Sequence, residues 1–288
     1  MRTLIVGCGY VGTALGIELV RFGHKVYGLR RTAESNSDLK AAGIVPLIGD
    51  VSKLETLAKL PADYDWVVNC VSSSGGGVED YRAVYLEGTR NLLKWLSPAP
   101  PKRFVYTSST SVYGQTDGSL VTETSPADPA AETARILLET ENLLLEAASA
   151  NFPAVILRVA GIYGPGRGYW FKQFLRGEAR IEGKGERFLN MVHRDDVVGA
   201  LIAALEKGRP GEIYNVVDDE PVSQNNVFQW LASRLGKEMP PFVERNEHAD
   251  RKRGSTNKRV SSVRLKSQLG YQFKYPTFRE GFENSLFN

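Results

Sequence analysis

The chain has 288 residues, 42% of them hydrophobic, and a formal net charge of +3. This is enough apolar material for a full core in one large or two small domains, and too mild a charge to call for nucleic acid as a partner. Two cysteines (Cys8 and Cys70), three scattered histidines and the lack of an 18-residue apolar run argue against a disulfide framework, a metal site and a membrane span, and the expectation is a cytoplasmic protein.

The first predicted element is a strand, Thr3-Leu4-Ile5-Val6. It runs directly into Gly7-Cys8-Gly9-Tyr10-Val11-Gly12 and then into a helix with Leu15, Leu19 and Phe22 on one face and Gly23 as its stop. Gly7 permits the tight turn, Gly9 lets the backbone approach a pyrophosphate, and Gly12 lets the helix pack close to the sheet. Tyr10 and Val11 open a helix whose N-terminal N–H groups face the anion. The order of parts predicts a dinucleotide site rather than a plain strand–turn–helix corner. The second strand, Lys25 to Leu29, ends at Arg30-Arg31, where an NAD site usually carries Asp or Glu. Two guanidiniums suit the 2′-phosphate of NADP. NADP is therefore expected, with NAD as the alternative; the bland reading is a solvated charge pair at a strand end.

Further strands are predicted at 45–50, 66–71, 103–108, 154–160 and 212–217, and helices near 53–60, 79–96, 130–149 and 194–207. The apolar runs are continuous rather than alternating, which means a parallel sheet covered on both faces. The expected architecture is α/β, a Rossmann-type doubly wound parallel sheet with a smaller C-terminal substrate-binding lobe. The dinucleotide domain is placed at 1–160 plus about 191–220, and the lobe at 161–190 and 221–288. The loop from Ser72 to Gly77 leaves a strand end at the edge where ligands bind, so Val71 and Ser72 are expected beside the pyrophosphate. The stretch 244–266 holds eight Lys/Arg against three Asp/Glu. It is either a solvated surface or the lining of a site for an anionic substrate.

The fifth strand leads into Tyr106-Thr107-Ser108-Ser109-Thr110-Ser111-Val112-Tyr113-Gly114. Hydroxyls here would hydrogen-bond a substrate carbonyl or carbinol, or merely cap the strand. This stretch, the glycine loop and a succession of further motifs resemble the extended short-chain dehydrogenase/reductase group, which includes NAD-dependent epimerases and dehydratases. The others are Gly49-Asp50-Val51, Glu87-Gly88-Thr89-Arg90-Asn91-Leu92-Leu93, Leu157-Arg158, Gly161-Ile162-Tyr163-Gly164-Pro165-Gly166, Val192-His193-Arg194-Asp195-Asp196-Val197 and Ile213-Tyr214-Asn215-Val216. The resemblance implies Asp50 near the adenine and Ser108 beside the cofactor. It places Ser109 at the catalytic Ser/Thr, four residues before Tyr113, and Tyr163 and Asn190 in a substrate cleft. It also implies a homodimer through helices 79–96 and 130–149.

The departures from that group matter more. Its Tyr-x-x-x-Lys, the general acid/base and its partner cation, falls here on Thr133-Ala134-Arg135-Ile136-Leu137, with Glu141 following. Tyr85 stands where the group carries Asn. The chain therefore resembles an atypical branch that keeps the cofactor cradle without the triad. Arg135 is a substitute cation or a surface charge. The remaining candidate hydroxyls are Ser109, Tyr113 and Tyr163. Lys258-Arg259, just before a helix start, suits a phosphate or carboxylate, or is a solvated helix start. Two functions stay open: an NADP-dependent oxidoreductase or epimerase-like enzyme acting on a small anionic substrate, and a catalytically silent dinucleotide-binding sensor or regulatory protein.

Overall fold

The computed structural model describes residues 1–34, 36–73, 77–244 and 256–286. Residues 74–76 of the serine–glycine loop and 245–255 of the basic stretch lie outside the described residues. Seven strands form the central sheet: β1 (Arg2–Val6), β2 (Lys25–Arg30), β3 (Val45–Ile48), β4 (Trp66–Asn69), β5 (Arg103–Ser109), β6 (Ala154–Val159) and β7 (Ile213–Val216). Their order is β3-β2-β1-β4-β5-β6-β7 and every pairing is parallel. The order reverses between β1 and β4, which opens a crevice outside the carboxyl ends of the strands. Leu4, Ile5 and Val6 of β1, Val67 and Val68 of β4, and Phe104, Val105 and Tyr106 of β5 are all fully buried, so helices cover both faces as the continuous apolar runs predict.

Helix α1 (Tyr10–Arg21) follows β1 and buries Leu15 and Leu19. It ends one residue short of the predicted apolar face, leaving Phe22 62% exposed. The helix predicted near 79–96 is composite: an α-turn over Val78–Tyr81, a π-helical stretch over Arg82–Glu87, and α2 (Gly88–Leu96). Helices α3 (Glu132–Ser149) and α4 (Arg194–Lys207) complete the layers that bear on the crevice. The outward side chains of α3 are mostly charged: Glu132, Arg135, Glu139 and Glu146 are exposed, with the neutral Asn142 among them, and Glu139 pairs with Arg82 of the π-helical stretch at 3.0 Å. Among the described residues no helix is long and apolar enough to cross a membrane.

A second hydrophobic cluster, separate from the sheet core, gathers Phe171, Phe174, Ile181, Phe228, Leu231, Phe278 and Phe282 around Tyr163. The C-terminal stretch is divided between the two clusters. Val260, Leu265 and Leu269 belong to the core of the sheet, not to the second cluster. The short strand Arg259–Val260 pairs with Leu120–Val121 in the chain that follows β5. That pairing ties residues near 258 to the loop after Ser109 across more than a hundred positions.

Candidate functional site

Three adjoining cavities run along the crevice. The first lies against the glycine loop. Gly7 has φ +81°, and a Cβ there would sit 2.6 Å from the Val71 backbone; a Cβ on Gly12 would sit 2.7 Å from the Gly7 carbonyl. Both are therefore required by close backbone approach. A Cβ on Gly9 would meet nothing nearer than 3.9 Å, so this residue leaves open the space a ligand needs rather than relieving a clash. The same cavity is walled by Arg30, Arg31, Asp50, Val71 and Ser72. Arg30 is docked on the glycine loop itself, with Nε donating to the Cys8 carbonyl at 2.5 Å and Nη2 to Thr13 Oγ1 at 3.0 Å. Arg31 is exposed at the rim. One oxygen of Asp50 accepts both the Ser52 N–H (3.0 Å) and the Ser52 hydroxyl (2.8 Å), which fixes its carboxylate at the end of the loop after β3.

The middle cavity shares Gly7, Gly9, Val71 and Ser72 with the first and adds Tyr10, Val11, Tyr81, Tyr85, Ser108, Ser109 and Leu137. The Tyr10 hydroxyl donates to the Pro165 carbonyl at 3.1 Å, and the guanidinium carbons of Arg167 and Arg194 both lie 5.2 Å from its ring centre. Beneath this cavity is a buried charged floor. Ser108 Oγ donates to Glu141 at 2.5 Å, and Arg158 grips the same carboxylate through Nε (3.1 Å) and Nη2 (2.7 Å). The pair is screened from water, with side-chain exposures of 5% and 0%. A bidentate guanidinium satisfies the carboxylate geometrically, and this is what permits two charges there.

The expected residues are redistributed by this arrangement. Tyr113 leaves the site: it is wholly buried, its hydroxyl donates to Asn215 Oδ1 at 2.8 Å, and Arg158 lies 4.8 Å over its ring. The short turn Thr110–Val112, capped by Ser109 Oγ accepting the Ser111 N–H, sends the Tyr113 side chain back toward β7 and away from the cavities. Thr133 is buried at the start of α3 and does not wall the middle cavity, whereas Leu137 does. Arg135 is exposed and donates to the Pro129 carbonyl at 3.1 Å, so it is a surface charge and not a substitute cation.

The third cavity meets the middle one at Ser109 and Ile162 and extends over Ser111, Tyr163, Tyr169, Trp170, Arg187, Asn190, Thr256 and Lys258. Two cations and several hydroxyls line it, and among the described residues no carboxylate does. Lys258 is 3% exposed, and its ammonium donates to the Tyr113 carbonyl (2.8 Å) and Thr256 Oγ1 (2.9 Å). Burial first, and then the Arg187 charge, push its pKa down to about 8. Ser111 Oγ is also buried there without a hydrogen-bond partner among the described residues. Asn190 holds this lysine in place: its amide donates to the Lys258 carbonyl and accepts the Val260 N–H, both at 2.9 Å. Neighbouring side chains on a strand point to opposite sides, so Arg259 faces away. It donates to the Gly118 carbonyl at 3.0 Å and lies over Phe188, outside the cavity wall. Tyr163 lines the cavity with its ring while packed at 4.8 Å against Phe282, and burial pushes its phenol well above the usual range. His193 is a helix cap: its Nδ1 accepts the Asp195 N–H at 3.1 Å, and burial pushes its pKa down to about 4.

Sequence reasoning missed Arg187, Tyr169 and Trp170, which lie on no motif. It also passed over Ser111 and Tyr85, which were visible, one inside the serine-rich stretch and one as a departure from the family pattern.

Comparison with known proteins agrees with this geometry. The model of the NAD dependent epimerase/dehydratase family matches residues 3–216. Protein YeeZ of Escherichia coli K12 is 32% identical over 286 residues, covering 96% of each chain. The solved structure of a putative NAD-dependent epimerase/dehydratase from Methylobacillus flagellatus is 32% identical, with a TM-score of 0.79 and coverage of 99% of this chain and 97% of that one. A dTDP-glucose 4,6-dehydratase of Streptomyces venezuelae, solved with NAD bound, is 22% identical with a TM-score of 0.85, covering 99% and 96%, a likeness of fold. The chain belongs to the NAD-dependent epimerase/dehydratase family.

Proposed function

We propose that this protein binds a nicotinamide dinucleotide, NADP in preference to NAD, and acts as an oxidoreductase or epimerase-like enzyme on a small anionic substrate without a Tyr-x-x-x-Lys pair. The observation that carries the reading is the continuous line of cavities from Arg30 and Arg31, past Ser109, to Lys258 in a pocket lined by cations and, among the described residues, no carboxylate. The open face of Gly9 and the N–H groups at the start of α1 suit a pyrophosphate. Asp50 would face the adenosine, and Arg30 and Arg31 the 2′-phosphate. When bound, the dinucleotide supplies hydride chemistry. Ser109, which with Ile162 is common to the middle and third cavities and is the one of the two that bears a hydroxyl, would hold the reacting carbonyl or carbinol oxygen. Lys258, Arg187 and Ser111 would hold the substrate's phosphate or carboxylate, and Tyr163, Tyr169 and Trp170 would cover its apolar part.

A reducing, cytoplasmic setting suits the two free thiols, Cys8 and Cys70. The homodimer through 79–96 and 130–149 rests on the family resemblance alone, since the outer side chains of α3 are mostly charged.

The test is calorimetric titration with NADPH and NADH, followed by loss of NADPH absorbance with a panel of oxo acids and phosphorylated carbonyl compounds. Tighter binding of NADPH together with turnover of an anionic carbonyl is the expected result. The wall formed by Leu137, where the resemblance implies Lys, favours the second reading of a dinucleotide sensor. Tight NADPH binding with no turnover anywhere on the panel would establish that reading instead.

A further inference from the structure

The wall of the middle cavity carries one charged side chain among the described residues, Arg167. It sits on a turn, Gly164 to Arg167, that follows the short strand Gly161–Tyr163. The turn is closed on itself: the Gly164 N–H donates to the Arg167 carbonyl at 2.8 Å, and the Arg167 N–H to the Gly164 carbonyl at 2.9 Å. It is also pinned from outside, by the Tyr10 hydroxyl on the Pro165 carbonyl (3.1 Å) and the Lys172 ammonium on the Gly166 carbonyl (2.6 Å). The fit against Tyr10 is close, since a Cβ on Gly164 would sit 3.0 Å from that hydroxyl.

The pinned turn lays the Arg167 guanidinium over the ring of Tyr10, 5.2 Å from its centre. Tyr10 is the first residue of α1 and follows Gly9 directly, and both wall the same cavity as Arg167. Arg194 lies equally near that ring, yet it lines a separate groove between α1 and α4, and Asp195 accepts from its Nε (3.0 Å) and Nη2 (2.9 Å). Of the two arginines on Tyr10, one is held by a carboxylate outside the crevice and the other walls the cavity. A guanidinium keeps its charge and presents its N–H donors in a planar fork that matches phosphate oxygens.

We propose that Arg167 is a cofactor-binding residue, donating to the pyrophosphate of the dinucleotide at Gly9 and the start of α1. The proposal rests on the dinucleotide reading above. The glycine loop and the helix start offer that anion main-chain N–H groups and a partial positive charge. Arg167 adds a full charge from a turn more than a hundred and fifty residues away in sequence. The pyrophosphate is common to NADP and NAD, so this contact supports both dinucleotides alike, whereas a contact to the 2′-phosphate supports only one.

The experiment is calorimetric titration with NADPH and with NADH of the wild type, Arg167→Met, Arg194→Met and Arg31→Ala. Arg167→Met removes the charge and is expected to weaken both dinucleotides by about tenfold, leaving their ratio unchanged. It should also flatten the fall of NADH affinity with added salt. Arg31→Ala should weaken NADPH alone, and Arg194→Met should stay within about threefold of the wild type for both. Because Arg167 is exposed, the ligand-free Arg167→Met protein should melt with the wild type. Undiminished affinity of Arg167→Met for both dinucleotides overturns the proposal, and so does a loss confined to NADPH. An equal loss in Arg194→Met overturns it too, because the effect would then come from support of the Tyr10 ring. Failure of the wild type to bind either dinucleotide overturns the cofactor reading itself, and the role of Arg167 with it.

Discussion

The two ends of the crevice are built by different means. At the glycine-loop end the walls are largely backbone: Gly7, Gly9 and Gly12 act through what they lack, and six consecutive residues shape the turn. At the other end the walls are side chains drawn from positions 109–111, 161–170, 187–191, 256–258 and 282. The buried cations mark the same contrast. Arg158, under the middle cavity, is gripped by Glu141, while Lys258 has a carbonyl and a hydroxyl as its partners among the described residues. A buried charge without a counter-charge lowers stability, and among the described residues Lys258 has none. A completed ion pair points to the scaffold.

Four substitutions sharpen or break this comparison. The largest effect is expected at the scaffold pair. Glu141→Ala leaves the Arg158 charge uncompensated under Ser108 and should lower stability by about 3–5 kcal/mol in urea unfolding. A loss under about 1 kcal/mol would mean that Tyr113 and the surrounding dipoles suffice for that guanidinium.

Next comes Gly9→Val. A Cβ at this position meets nothing nearer than 3.9 Å, so circular dichroism and melting temperature should hold, while NADPH affinity falls by roughly a hundredfold or more because the pyrophosphate volume is filled. Undiminished NADPH binding by the folded variant would reduce the loop to a structural corner.

Lys258→Met should act in the opposite sense on stability and on binding. With its pKa near 8 in the folded state and about 10.4 unfolded, the unfolded chain binds more protons between those values. Wild-type stability should therefore rise with pH across that window, and the variant should lack the rise. At neutral pH the variant should be as stable as the wild type, or more so by ~1–2 kcal/mol. Inorganic phosphate, used as a probe, should raise the melting temperature of the wild type, less so as pH climbs past 8, and leave Lys258→Met unmoved. An equal phosphate response in both proteins would remove Lys258 from the anion site.

The smallest effect is expected at the rim. The double variant Arg30→Ala, Arg31→Ala should reduce a preference for NADPH over NADH of about tenfold to near parity, since exposed charge-assisted contacts contribute modestly. Equal affinities for the two dinucleotides in the wild type would refute the assignment to NADP. Because Arg30 also clasps the Cys8 carbonyl, Arg31→Ala alone separates phosphate recognition from support of the loop.

The sheet and the cofactor cradle were legible because their information is local. Continuous apolar runs specify buried parallel strands, and a strand running into Gly7-Cys8-Gly9-Tyr10-Val11-Gly12 and then a helix specifies a turn whatever packs around it. Motif spacing was informative in the same way for Ser109, which does face the cavities. Which other hydroxyls and cations reach the crevice depended on contacts across the chain. Tyr113 was withdrawn by Asn215, a partner 102 residues away. Lys258 and Arg259 are adjacent in sequence, and only the pairing of Arg259–Val260 with Leu120–Val121, fixed by Asn190, decided which of the two points inward. Tyr85 reads in sequence as one lost asparagine, and it took a π-helical stretch and the Ser73 amide to make it a phenol at the cavity wall. Chain order alone determined that a tight glycine turn joins β1 to α1, because the strand, the glycines at 7, 9 and 12 and the helix follow one another directly; the Leu29 carbonyl and the Val71 backbone, packed against Gly7, complete the cradle. Side-chain direction at a site assembled from distant segments is set by packing and hydrogen bonding between them, and only the tertiary structure decided it.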